Sequence, residues 1–310
     1  MGASGRVTLN DVAAASGVSR ATVSFVLNDD PKQTISASTR DRVKQAAKEL
    51  GYAPHGVARA LREGNSRLVV LTIDWGLDGN YARTYIRGLD DELAAHHHVL
   101  LVRHGHQTTQ DTQQILDAIA PRAIFRFGDP YFTGHDLDDL GRGWRDGLAA
   151  HTALQIQHLV EHGHTRIGLA LPDFETPLTA SRLRFTGHAA VKLGIPAPAS
   201  FVAHRNRSAC AHAVEQFLAD TPGTTAIAGF NDDIALRSMT ALQDLGLSVP
   251  HDVAVIGYDD TEYGELVRPS LTTVHIDAEA HGRLSARLIL RLDDAGLTPV
   301  PAQIIVRESV

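Results

Sequence analysis

The sequence predicts an α/β protein in which two doubly wound parallel-sheet subdomains form a core. An all-α helix-turn-helix headpiece and a hinge helix stand at its N-terminus. Three observations predict this. Residues 9–28 read as two short helices around a glycine turn. From Arg67 onward, short apolar runs alternate with amphipathic helical stretches, the pattern of parallel sheets covered by helices. At 310 residues the chain exceeds one ordinary core and suggests two or three domains.

The headpiece is expected at 1–53. Thr8 with Asp11 resembles a capping box and opens the first helix. Gly17 stands at the turn, where a left-handed backbone is cheap for glycine. Ser19 sits where an N-cap belongs, before the second helix. Val12, Val18, Val23, Val26 and Leu27 recur at helical spacing and supply a small core. The run from Asn28 to Pro31 signals a loop. Ser36 caps a third helix from Ala37 to Leu50, with Val43, Ala46, Ala47 and Leu50 facing inward and Gly51 just past its end. A unit with consistent turn, cap and core offers its second helix to the DNA major groove. Residues 54–66 read as a hinge helix and linker. About eight residues from Pro54 to Leu61 are too few for a stable isolated helix, and Gly56 weakens it further. This segment is expected to order only on binding.

The core follows at 67–310. Leu68 to Ile73 reads as a buried strand and 82–95 as an amphipathic helix. Strand 99–102, helix 109–119 and strand 123–127 follow. Helix 148–162 precedes strand 166–171, helix 182–193 precedes strand 200–204, and helix 209–219 precedes strand 226–229. Helix 232–246 then precedes strand 253–258. Ligands in such architectures bind at the carboxyl ends of the strands. Residues 128–147, rich in Gly and Asp around Trp144, read least clearly.

Composition narrows the function classes. Hydrophobic content of 43% and charged content of 21% are those of a folded chain. Residues 1–65 hold nine Lys/Arg against six Asp/Glu, a net +3, and the remainder carries −10. A basic head on an acidic body suits a nucleic-acid module on a core that phosphates repel. No apolar run approaches ~18 residues, and no signal-peptide stretch opens the chain, so a cytoplasmic, nucleoid-associated location is expected and no membrane partner. Cys210 is the sole cysteine, excluding an intrachain disulfide. His96, His97 and His98 invite a metal reading. Consecutive side chains diverge and no Cys or paired carboxylate completes a ligand set, so neither a metal nor a cofactor is expected. No P-loop or nucleophile elbow appears, and nothing beside Asp259 and Asp260 supplies a nucleophile. An enzyme is not expected.

These pieces together resemble the lactose-repressor (LacI/GalR) family of bacterial transcription regulators. The matching stretches are Thr8 to Asn28, Ile35 to Val43, Glu49 to Tyr52 and Val57 to Leu61. In the body they are Glu161 to Ile167, Ser181 to Gly187, Asn231 with Asp232, Gly246 to Asp260, Pro269 to Val274 and Val306 to Ser309. The resemblance is weakest at 104–150, and within it the 124–150 region is shorter than the family's. It implies a core similar to periplasmic sugar-binding proteins, crossed near 150, 275 and 297. The N-subdomain then covers about 67–150 and 275–297, and the C-subdomain about 151–274 and 298–310. It also implies a homodimer through helices near 83–96 and 278–293. A C-terminal leucine-heptad extension of the tetrameric kind is not expected.

The resemblance further implies a palindromic double-stranded operator, read most simply by a repressor under a small-molecule effector, a sugar or another metabolite. Arg20, Ala21 and Phe25 become the base-reading set. Phe25 either touches a thymine methyl or packs under the hinge or third helix, and Arg20 reaches guanine or a phosphate. Ser19, Thr22, Ser24 and Asn28 would mostly hold phosphates, and Thr8 belongs to the same DNA-contacting set. In the hinge, His55, Val57 and Ala58 lie along the groove, with Leu61 as a minor-groove wedge or a linker leucine packing on its own body. His55 replaces the family's usual Asn, and Gly56 a helix former or polar residue. Arg184, Asn231 and Asp259 occupy ligand-contact positions, each expected near a strand end, with Asp173 as a further candidate. Arg184 could instead form a salt bridge within the body. No aromatic stands at 206–208 to stack on a sugar, and the shortened 124–150 region offers few contacts. The alternatives are a regulator whose cleft is degenerate and a solute-binding protein with no regulatory role.

Overall fold

The computed structural model describes residues 7–27, 34–52, 66–73, 79–105, 110–127, 147–174, 176–293 and 296–310. The chain divides into two compact units, residues 1–67 with 109–122 and residues 68–108 with 123–310. The expected hinge lies outside the described residues apart from Ser66, as do residues 128–146.

The first unit opens with α1 (Leu9–Ser16), α2 (Arg20–Leu27) and α3 (Ala37–Glu49). Val12, Val23, Val26, Val43, Ala46 and Ala47 form its buried cluster, with Val18, Leu27, Ile35 and Tyr52 packed on it. Gly17 turns the chain at φ +67°. Ser36 caps α3 by accepting the Thr39 N–H at 3.3 Å. Leu50 departs from expectation: it lies past the last turn of α3 and is 37% exposed, and Tyr52 packs on the cluster instead. Also in this unit, α5 (Gln110–Ile119) buries Leu116.

The second unit begins with β1 (Leu68–Ile73), α4 (Asn80–Ala95), β2 (Val99–His104) and β3 (Ala123–Arg126). The strands pair in parallel in the order β2-β1-β3. Because side chains alternate along a strand, Val69, Leu71 and Ile73 share one face. They join Leu89 and Leu93 of α4 and Ala286 and Leu290 of α11 (Ala278–Leu290) in one apolar cluster. The two helices cross with backbones touching. A Cβ added at Gly88 would fall 2.1 Å from the Glu279 carbonyl oxygen, and one at Gly282 would fall 2.1 Å from that of Tyr85. These are the helices through which the resemblance implies dimerisation; within the chain, their facing sides are spent on each other.

A second parallel sheet has the order β5-β4-β6-β7. Its strands are β4 (Ile167–Leu171), β5 (Ala199–Val202), β6 (Ala226–Gly229) and β7 (Ala254–Ile256). Helices α6 (Leu148–Glu161), α7 (Pro177–Leu193), α8 (Arg207–Asp220) and α9 (Asp232–Asp244) share its apolar cluster. Helix α7 starts five residues earlier than expected. Thr176 caps it by accepting the Thr179 N–H at 3.1 Å, and proline is well suited to a first turn. The sequence pattern also missed three short elements: α10 (Tyr263–Leu266), β8 (Thr273–His275) and β9 (Gln303–Ile305). Strands β8 and β9 pair antiparallel, with His275 opposite Gln303. Ser309 fastens them to β7, its hydroxyl donating to the Val255 carbonyl at 2.6 Å and accepting the Thr272 N–H at 2.8 Å. Among the described residues, no helix is long and apolar enough to cross a membrane.

Candidate nucleic-acid interface and ligand site

The Asp11 carboxylate accepts both the backbone N–H and the hydroxyl of Thr8 at 2.7 Å, which pins the start of α1. Ser19 accepts the Thr22 N–H at 3.1 Å and shares a hydroxyl contact with Thr22 at 2.9 Å. With Val23 and Val26 fully buried, α2 presents Arg20 and Ala21 to solvent. Thr22, Ser24 and Phe25 flank them, half-buried, and Phe25 stands outside the headpiece cluster. Asn28, His55, Val57, Ala58 and Leu61 lie outside the described residues.

In the second unit, Asp259 follows β7 and is buried. Its Oδ2 accepts the Asn80 N–H at 2.7 Å and the Tyr81 N–H at 3.4 Å. In return the Asn80 side-chain amide donates to the carbonyls of Asp259 at 3.0 Å and Asp260 at 2.8 Å. The first turn of α4 thus receives its carboxylate from a distant loop, which suits the positive end of a helix. Gly79 makes room for it: a Cβ there would fall 2.3 Å from Asp259 Oδ2 and 3.1 Å from Asn231 Nδ2. The other Asp259 oxygen, Oδ1, is buried with no hydrogen-bond partner among the described residues. Burial, then the facing Asp232 carboxylate, pushes the Asp259 acid well above the usual carboxylate range.

The structure therefore gathers Asp259 and Asn231 around Gly79. Asn231 spends its side-chain oxygen on capping α9, accepting the Ile234 N–H at 3.0 Å. Arg184 departs from expectation, since it lies midway along α7 rather than near a strand end. It is exposed, its guanidinium 4.6 Å from the Phe185 ring centre. Asp173 is exposed and tied to Arg205, accepting that residue's N–H at 3.2 Å beside a side-chain ion pair at 3.5 Å.

Other residues here escaped the sequence reading. Arg182, 1% exposed, donates to Thr152 Oγ1 and Gln155 Oε1 at 2.7 Å and to the Gly229 carbonyl at 3.0 Å. Its guanidinium lies 4.1 Å from the Tyr258 ring centre. A signal was available: Arg182 precedes the buried Phe185 and Ala189 by three and seven positions, the spacing of an inward stripe. His151, 1% exposed, is held down to about 3 by burial, then by His281 and Arg182. His281, equally buried, lies 3.3 Å from the Tyr81 hydroxyl, and burial lowers it to about 4. Asp232 ties down the loop that carries Asp259. Its Oδ1 accepts the Tyr258 N–H at 2.7 Å and the Thr273 hydroxyl at 2.5 Å, and its Oδ2 accepts the Thr261 N–H at 2.6 Å.

Residues 8–55 match the family described as bacterial regulatory proteins, lacI family, and residues 156–310 match a periplasmic binding protein-like domain. Catabolite control protein A of Priestia megaterium is 26% identical over 333 residues, covering 98% of this chain and 99% of its own. The HTH-type transcriptional repressor PurR of Vibrio vulnificus (strain CMCP6) is 26% identical over 343 residues, covering 98% of each. The crystal structure of the Lac repressor dimer bound to operator and the anti-inducer ONPF has a fold similar to this one. It superimposes with a TM-score of 0.71 at 23% identity, covering 98% of this chain and 99% of that one.

Proposed function

The chain belongs to the lacI family of bacterial regulatory proteins, and from that premise we propose that it binds a palindromic operator as a homodimer, acts as a repressor, and answers to a small molecule at Asp259. It is a regulator and not an enzyme. In this reading the headpiece covers 1–53, the hinge 54–66, and the two subdomains divide near 150, 275 and 297. Its place of action is the nucleoid.

The observation that carries the DNA reading is the face of α2. Two valines bury one side completely, which leaves Arg20 and Ala21 outward with Phe25 outside the cluster. These three read base edges, Arg20 by paired hydrogen bonds to guanine and Phe25 by contact with a thymine methyl. Thr8, Ser19, Thr22, Ser24 and Asn28 hold phosphates. His55, Val57 and Ala58 follow the minor groove, and Leu61 wedges into it.

For the effector, the supporting observation is the buried Asp259 Oδ1, which has no partner among the described residues. A buried carboxyl oxygen without a partner is costly, and a polar group of a ligand relieves that cost. Asn231 and Arg184 contribute further contacts, with Asp173 at the margin. A sugar or another polar metabolite fits.

The test has two arms. Gel shifts of the full chain on a library of palindromic duplexes should select one sequence class, and Leu61→Ala should lose that selected site while keeping nonspecific binding. A thermal-shift screen of metabolites should find a ligand that Asp259→Asn weakens. Binding to random DNA alone would remove the operator reading, and ligand binding indifferent to Asp259 would remove the effector reading.

A further inference from the structure

Asp259 has φ +98° and Asp260 φ +50°. Left-handed backbone is costly for residues with a side chain and persists only where the surroundings impose it. Three sets of contacts impose it here. Asp232 holds the loop from beneath through Tyr258, Thr261 and Thr273. The Asp259 N–H donates to the Val274 carbonyl at 2.9 Å. The Asp260 carboxylate, on the solvent side, is gripped at both oxygens: His275 Nδ1 donates to Oδ2 at 3.0 Å and Arg307 Nη2 to Oδ1 at 3.0 Å. Arg307 is itself seated, donating to the Leu271 carbonyl at 2.8 Å through Nη1 and to Thr272 Oγ1 at 2.9 Å through its backbone N–H. The grip therefore joins the loop that carries Asp259 to β8 and to the segment after β9.

We propose that Asp260, His275 and Arg307 form a clamp that positions Asp259, and that a proton on His275 tightens it. This deepens the effector reading and rests on it for the role of Asp259. The clamp itself is measurable without any ligand. His275 is the group in the clamp that changes charge near neutrality, and at 38% side-chain exposure it exchanges protons with solvent. The charged groups around it are Asp260 on the loop and Asp277 at the start of α11. Arg307 sits across the Asp260 carboxylate, and Asp232 lies beyond Thr273. Gln303, opposite on β9, is uncharged. The Asp260 hydrogen bond raises His275 above its ordinary 6.5, and His275 in turn leads the causes that lower Asp260. A histidine raised by folding contributes below its unfolded pKa and loses that contribution as pH climbs through the raised value. The clamp is thus complete on the acid side of neutrality and slackens on the alkaline side. A neutral imidazole can still donate from Nδ1, so deprotonation weakens the grip without breaking it.

Amide hydrogen exchange of the full chain tests this at about pH 6 and about pH 8.5, on either side of the histidine range. Protection of the Asp259 and Asp260 amides, corrected for intrinsic exchange, should fall about threefold at the higher pH, the scale of a half-exposed ion pair. His275→Asn keeps a donor at the Nδ1 position but cannot titrate, and should give the same protection at both. Asp260→Asn should give low protection at both. Wild-type protection that does not change with pH overturns the proposal, as does a fall in His275→Asn equal to the wild type's. Neither result bears on whether Asp259 meets an effector, which the metabolite screen decides separately.

Discussion

Asp259 caps a helix that begins 179 residues before it, its carboxylate accepting the Asn80 backbone N–H at 2.7 Å. The same side chain keeps its other oxygen buried, with no partner among the described residues. One carboxyl group thus fixes the start of α4 and holds the oxygen proposed to meet the effector.

Gly79→Ala tests that geometry. The new methyl would meet Asp259 Oδ2, and the residue would keep a φ of +97° that alanine rarely adopts. The expected loss is about 1–3 kcal/mol of stability, with weaker binding of any metabolite found by the screen. A denaturation midpoint equal to wild type would remove the claim that Asp259 must approach this closely.

Arg182→Met keeps much of the buried volume and removes the guanidinium. The Gly229 carbonyl, Gln155 Oε1 and Thr152 Oγ1 would each lose a charged donor. Urea titration should show a loss of about 3 kcal/mol. An unchanged midpoint would mean that these acceptors find other donors at no cost.

Acid should destabilise the second unit earlier than its carboxylates alone require. His151 and His281 are neutral in the fold, held to about 3 and about 4 against an ordinary 6.5. Histidines lowered by folding contribute above 6.5 and lose that contribution as pH falls toward the lowered values. Together they should remove on the order of 3 kcal/mol by about pH 5. Replacing both with Gln should flatten the stability profile between about pH 6.5 and pH 5, whatever it does to the plateau. A double variant with the wild-type slope counts against their burial as neutral groups.

For the DNA face, Arg20→Ala should relax selection at one base pair per half-site and cost about 1–3 kcal/mol there. Selection from a randomised palindrome checks it. Equal weakening across all sequences would reassign Arg20 to a phosphate.

Much of this was legible in the amino-acid order because local chemistry decides it. Thr8, Gly17, Ser19 and Ser36 set caps and turns within four residues of themselves. The strand–helix alternation likewise depends on neighbours in sequence. What was hidden depends on distant partners. Helix α7 carries two arginines two positions apart, and the one facing in, Arg182, is selected by Thr152 and Gln155 on another helix. His151 and His281 are separated by well over a hundred residues, and only tertiary packing brings them near. Strands β8 and β9 have three residues each, too short for a period to emerge, and exist because Ser309 and Thr272 stitch them to β7. Arg184 was expected near a strand end, but α7 begins at Pro177 and places it midway along the helix.

The crossing of α4 and α11 at Gly88 and Gly282 places main chain on main chain. Side chains between two helices act as a cushion, taking up small displacements by changing rotamer. Bare backbones have no such give. Tyr81 on the first turn of α4 meets His281 beside the crossing on α11, so the two helices are joined there by side chains as well as by backbone. A displacement imposed on one of these helices is therefore passed to the other undamped.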